Sequence, residues 1–274
     1  MELSDPFEDF ARLVRQPDDL IRLDEAALAL ARTEYPDLDV PAQIARLDRL
    51  AERAACSPER PPLKNIEALN SLLFEQEGFR GNEGEYDDPR NSYLSDVLDR
   101  KLGIPITLSL VYIEVARRKG LPVVGVGFPG HFLVKYLAGR EEIILDPYNR
   151  GAILTRQDCE DRLKAHFGES SEWKADYLLA CTPRGFLTRM LSNLKGSYFR
   201  RNNYGRVLAM IRLALAVNPD SRQEIHDRGM IYFLLRRYAE AKADLKRYLD
   251  SAPPGDPQAT EVKQILHRIR GLMN

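Results

Sequence analysis

Tyr204 and Tyr238 stand 34 residues apart, and so do Pro219 and Pro253. A fixed period of this size requires stacked structural units, each too small to bury its apolar face alone. In the second unit Gly229, Tyr232, Tyr238, Ala241, Leu245 and Pro253 set out a small residue, aromatics, an alanine and a closing proline along two helices. Leu194, Tyr198, Tyr204, Ala214 and Pro219 form a looser first unit. The segment from Glu261 to Met273 carries Val262, Ile265, Leu266 and Ile269 on one helical face and predicts a cap. Residues 183–274 therefore read as a helical repeat array.

The rest of the chain has no such period. At 274 residues it is long for one core, so further units are expected. Residues 1–90 read as helices. Asp18-Asp19 starts one that runs through Leu23, Ala27, Leu28 and Ala31; Pro36 breaks it, and Pro41 opens the next. A further helix spans Ile66 to Phe74, and the Gly-, Asp- and Asn-rich stretch from Gly78 to Asn91 reads as a loop. Residues 91–180 change character. Ser92 to Leu102 reads as helix, and Gly103-Ile104-Pro105 then starts another that is apolar nearly all round and ends at Gly120. Strand signals follow at Val123–Phe128, His131–Tyr136 and Ile143–Asp146, with helix and loop over 152–180. A helix followed by antiparallel strands indicates an α+β domain.

Composition removes several functions. No apolar run approaches the ~18–20 residues of a membrane span, and the acidic start Glu2–Asp5 is unlike a signal peptide, so a cytoplasmic location is expected. Cys56, Cys159 and Cys181 are too widely spaced for a zinc knuckle or a disulfide framework, and the four histidines form no HxxxH pair. No cofactor or metal is expected. Charge is uneven: residues 1–100 hold 23 acidic and 12 basic side chains, residues 184–247 hold 5 and 14. The basic stretch lacks interleaved stacking aromatics, which disfavours nucleic acid and points to an acidic protein or peptide surface, this chain's own N-terminal helices included. Arg200, Arg201, Arg236 and Arg237 follow the first helix of each repeat, so the two pairs are expected at matching edges of the array, contacting that partner.

One pair of residues carries chemistry. If Gly139-Arg140 is a two-residue hairpin loop, Ala138 faces Glu141, Leu133 faces Asp146 and His131 faces Tyr148. His131 and Asp146 then lie diagonal on one face, at roughly 7–8 Å between backbones. An imidazole and a carboxylate bridge that gap, the carboxylate fixing the ring tautomer as in nucleophile–His–Asp sites. The same pair also reads as a structural contact at a hairpin end.

The order of a buried helix, the turn Arg117-Arg118-Lys119-Gly120-Leu121-Pro122, a His strand and an Asp strand resembles the papain-like transglutaminase core. The chain as a whole resembles the SirB-type transglutaminase-like family with a tetratricopeptide (TPR) tail. The segments from Leu69 to Phe74, Gly78 to Asn82, Asn91 to Leu94, Gly103 to Ser109, Gly127 to Val134 and Leu145 to Pro147 carry that likeness. The resemblance implies a cysteine opening the central helix, about 15 residues before a glycine like Gly120. In this chain that position is Pro105, and no cysteine lies between Gly103 and Ser109. A helix N-terminus lowers a thiol pKa and a histidine accepts its proton, but proline supplies no nucleophile. Ser109 lies one turn deeper, by about 6 Å. Thr107 is nearer the opening but off that face, and Cys159 follows the Asp in the wrong order. The expected function is a transglutaminase-like protein without the catalytic cysteine, binding protein or peptide through its cleft and repeats. The alternative is a hydrolase or acyl transferase using Ser109, Thr107 or a substrate-borne nucleophile with His131 and Asp146.

Overall fold

The computed structural model describes residues 5–139 and 141–273. It divides into two compact units, residues 1–190 and 191–274.

The first unit opens with α1 (Pro6–Val14), α2 (Leu23–Arg32) and α3 (Val40–Arg53). Asp5 and Asp39 cap α1 and α3, each accepting from a first-turn amide, with proline in that turn. Asp18-Asp19 makes only a 3₁₀ turn, and α2 starts at Leu23 instead, because Ile21 and Arg22 are extended. Every residue from Ala26 to Ala31 is buried, so small side chains let α2 pack on all sides. Next, α4 (Pro62–Asn70) runs into a π-helical turn, Ser71–Gln76, where the Glu77 amide reaches the Leu72 carbonyl at 2.9 Å. That one-residue excess places Leu72, Leu73 and Phe74 consecutively in the core.

The polar stretch after Gly78 is a fixed structure. It contains β1 (Arg80–Gly81), which pairs in parallel with β2 (Leu102–Gly103) beyond α5 (Leu94–Arg100). Asn82 donates to Asn91 Oδ1 at 3.0 Å, Asn91 donates to the Glu85 carbonyl at 2.7 Å, and Thr107 Oγ1 donates to the Asn91 carbonyl at 2.7 Å. These bonds fasten the loop to the head of α6 (Pro105–Arg118), whose residues are buried from Pro105 through Ala116. Gly120 then turns the chain at φ +70°.

An antiparallel sheet follows in the order β3 (Val123–Val126), β4 (Leu133–Ala138), β5 (Glu141–Asp146) and β6 (Ala152–Leu154). Ala138 pairs with Glu141 and Val134 with Leu145, the register expected of a tight turn; Gly139 has φ +67°, and Arg140 lies outside the described residues. Strand β6 departs from the helix and loop expected after residue 152. Its three residues are too few to show alternation. Then α7 (Arg156–Phe167), capped by Thr155, packs Cys159 and Leu163 with Val126, Phe128, Leu133 and Ile144.

Helix α8 (Pro183–Arg200) enters the second unit, which continues with α9 (Tyr204–Val217), α10 (Arg222–Leu234), α11 (Tyr238–Asp250) and α12 (Ala259–Met273). The 34-residue period is visible in the backbone. Asn202 and Arg236 take φ +55° and +59°, and the next amides, of Asn203 and Arg237, reach the carbonyls of Tyr198 and Tyr232 at 2.9 and 2.8 Å. Gly229 lets α10 approach α11, since a Cβ there would lie 2.8 Å from Leu245. Thirty-four residues earlier stands Lys195 on α8, which holds Glu224 and Asp227 of α10 at 2.7 Å each. Val262 and Ile269 of α12 are buried against Ile225, Ala241, Leu245 and Tyr248. The fold is α+β, a helical and sheet unit followed by a helical repeat unit.

Candidate functional site

Asp146 ends β5, and the Asp-Pro pair it forms with Pro147 starts a 3₁₀ turn, Pro147–Asn149. Its carboxylate has no solvent exposure and accepts from the amides of Tyr148 and Asn149 at 3.1 and 3.3 Å. Asn149 Nδ2 reaches it at 2.6 Å, and Arg162 of α7 at 2.5 Å. His131, just before β4, places Nε2 3.0 Å from Asp146 Oδ1. Burial alone would push the Asp146 carboxyl up. The His131 hydrogen bond and charge, with Asn149 and Arg162, outweigh it and hold the carboxyl down at about 2.

With Asp146 an acceptor at Nε2, His131 carries its proton there and leaves Nδ1 for another partner. The ring is 19% exposed and stands edge-to-face on Tyr148 at 5.9 Å. It lines a cleft of about 260 Å³ with Phe128, Pro129, Gly130, Arg162 and His166.

The structure does not bring a nucleophile to this imidazole from α6. Thr107 Oγ1 accepts from the Ile104 amide at 3.1 Å while donating to Asn91, so it is a structural cap. Ser109 is fully buried and its Oγ has no hydrogen-bond partner, His131 included. Pro105 is the first residue of α6 and is buried. Burial pushes the thiols of Cys56, Cys159 and Cys181 up. Among the described residues no three His, Cys, Asp or Glu side chains gather as a metal site, and no helix is long and apolar enough to cross a membrane.

Sequence reasoning placed Tyr148 opposite His131 but missed its amide on Asp146, and it missed Asn149 and Arg162 altogether. Asp146-Pro147 is a cap signal that would have found the two amides. Arg162 sits on a helix that returns to the sheet, and nothing local marks it.

In the repeats, Arg200 and Arg201 do not occupy the positions of Arg236 and Arg237. The left-handed turn residues are Asn202 and Arg236, so Leu234 and Leu235 are the counterparts of Arg200 and Arg201. Arg237 is engaged by Glu240 at 2.6 Å and lies over the Tyr232 ring. The two pairs are therefore out of register by two residues. Arg200 lines a groove of about 370 Å³ between α8 and α10, with Gly196, Phe199, Met230 and Ile231.

Known proteins match this architecture in the same order. Residues 42–192 match the model of the transglutaminase-like superfamily, and residues 194–270 match a tetratricopeptide repeat model. The chain is 37% identical over 242 residues to a UPF0162 protein of Xylella fastidiosa strain 9a5c, covering 86% of each. It is 32% identical over 257 residues to a UPF0162 protein of Vibrio cholerae, covering 91% of this chain and 94% of that one. A 31% identical match to F-box only protein 21 of Pongo abelii covers 202 residues, 69% of this chain and 31% of that protein. No solved structure matches the chain. Relatives above 30% identity along most of its length place this chain in the UPF0162 family, within the transglutaminase-like superfamily.

Proposed function

We propose that this protein is a transglutaminase-like binding protein that holds protein or peptide partners and does not run cysteine acyl transfer. The observation that carries the reading is Pro105. It occupies the head of α6, where a thiolate would gain from the helix N-terminus, and it has no nucleophilic atom. The obvious substitutes are tied up, Thr107 as a cap and Ser109 inside the core. The repeat unit supplies a binding surface, the groove in which Phe199 is 49% exposed beside Met230 and Ile231. Its basic stretch suits an acidic partner reached from the cytoplasm.

A second reading has one observation in its favour. His131 is tautomer-fixed by Asp146 at Nε2 and lines a cleft, which leaves Nδ1 to act as a general base towards water or a substrate-borne nucleophile.

One set of assays separates the two. The purified full chain is expected to show no transamidation or peptidase turnover above that of His131→Ala. A purified partner is expected to bind it and to lose affinity about tenfold with Phe199→Asp in the groove, as befits a large apolar anchor. Turnover lost with His131→Ala favours the hydrolase, and partner binding indifferent to Phe199 sinks the groove as the docking surface.

A further inference from the structure

A second cleft, of about 460 Å³, shares Tyr148 with the His131 site and is lined by Arg80, Gly81, Glu83, Tyr148, Asn149 and Arg150. Its two guanidiniums stand on fixed backbone. Arg80 belongs to β1, paired with β2, and the following Gly81 has the Tyr148 ring so close that a Cβ would meet it at 2.5 Å. Arg150 sits at φ +56° in a turn clamped from both sides: the Gly151 amide reaches the Asp146 carbonyl at 2.8 Å, and Asn70 donates to the Gly151 carbonyl at 2.9 Å. A left-handed arginine costs roughly 1 kcal/mol over glycine or asparagine, so the turn is held against its own preference.

Arg80 and Arg150 are both exposed, and among the described residues neither makes an ion pair. The arginines nearby are committed differently: Arg90 and Arg100 to Asp88, Arg162 to Asp146. With Glu83 in the wall, the lining carries one net positive charge. Asn149 donates from its side-chain amide nitrogen to Asp146 and keeps its side-chain oxygen as an acceptor.

We propose that this cleft binds a carboxylate presented by a partner polypeptide, with Arg80 and Arg150 as its guanidinium clamp. The proposal deepens the binding-protein reading and rests on it. A net charge of +1 matches a monoanion and leaves a phosphate dianion over-charged beside Glu83 and the buried Asp146. The Glu83 carboxylate and the Asn149 carbonyl accept the backbone N–H groups that flank a carboxylate in a polypeptide. Tyr148 offers its ring to the methylene groups between them.

The test uses the full chain and a fluorescein-labelled hexaglutamate peptide, followed by anisotropy at low and at 0.15 M salt. Hexaglutamate is expected to bind and hexaglutamine not to. Arg80→Gln and Arg150→Asn (asparagine tolerates the left-handed turn) are each expected to weaken binding about tenfold, in line with loss of a charged hydrogen bond. Arg49→Gln, at an exposed position on α3 away from this cleft, is expected to leave it unchanged, and circular dichroism controls for folding. No binding, or equal losses from Arg49→Gln, overturns the clamp. Inorganic phosphate competing as well as the peptide, or free glutarate doing so carboxylate for carboxylate, overturns the polypeptide carboxylate as its ligand. These outcomes are separable from the broader reading: a partner still held by the Arg80 and Arg150 variants leaves that reading standing, and transamidase turnover sinks it whatever the peptide does.

Discussion

Asp146 is the residue on which the first unit's site is organised. Five donors converge on a carboxylate with no solvent exposure, and together they hold it at about 2 against an ordinary value of 3.8. A depressed carboxyl stabilises the fold above its unfolded pKa and loses that stabilisation as pH falls through the folded one. Asp146 is thus worth about 2 kcal/mol near neutrality, lost between about pH 4 and 2. Asp146→Ala is expected to cost about 3 kcal/mol, because Arg162 and two amides are left without their acceptor, and His131→Ala about 1 kcal/mol. In urea titrations the double variant should cost less than the two singles together, and Asp146→Ala should flatten the acid limb of stability. Additive losses would mean that the 3.0 Å contact does not form in solution. The contact, as distinct from any role for it, is legible in the sequence because a two-residue turn fixes strand register and side chains alternate. Arg162 is not legible. It arrives on a helix sixteen residues downstream, and helix-to-sheet docking leaves no periodic mark.

At the scale of elements, what repeats is readable and what departs from a repeat is not. The tyrosine and proline period fixes the repeat helices, whereas β6 is too short to alternate and the π-turn hides inside a helical pattern. The arginine pairs show how a count misleads: offset by 36 residues, not 34, they fall on different parts of the turn. Arg236 itself takes the left-handed position after α10, where glycine is the usual residue. Arg236→Gly is expected to stabilise the repeat unit by about 0.5–1 kcal/mol, and Asn202→Gly by less, because asparagine already tolerates that conformation. Thermal denaturation of the two variants tests the order. A drop in Tm for Arg236→Gly would show that its side chain contributes more than its backbone costs.

Across the first unit as a whole, helices far apart in sequence are joined by buried charge. Asp24 of α2, fully buried, takes Arg117 and Arg118 of α6 at 3.2 and 2.6 Å, and both arginines also hold Glu114. Burial works against the Asp24 charge, but the Arg118 hydrogen bond and charge, with Arg22 and Arg117, prevail and lower its pKa. Glu114 goes the other way, raised by burial and by Asp24. Asp24 therefore gives up stability as pH falls through its folded pKa, while Glu114 gives it up as pH rises through its own, so acid alone reads the network poorly. Substitution reads it directly. Asp24→Ala is expected to cost about 3 kcal/mol in chemical denaturation, because it removes the buried acceptor that Arg22, Arg117 and Arg118 share and leaves Arg118 only Glu114 and Asp48. A cost below about 1 kcal/mol would show that α2 is held by its alanines alone.

Lys195 bears on how such a chain can be inherited. In the second repeat the same position is Gly229, where the helices simply close up; in the first, a lysine reaches forward to Glu224 and Asp227. The first repeat thus depends on what comes after it. The residues 34 beyond its two acidic partners are Gln258 and Glu261, so half of the acceptor pair is absent one unit later. Copying the first repeat to the end of the array would leave a cation in the core with half its complement. Many solenoids lengthen by duplicating a module; this one is spelled in a fixed order, and selection can edit its repeats more readily than it can multiply them.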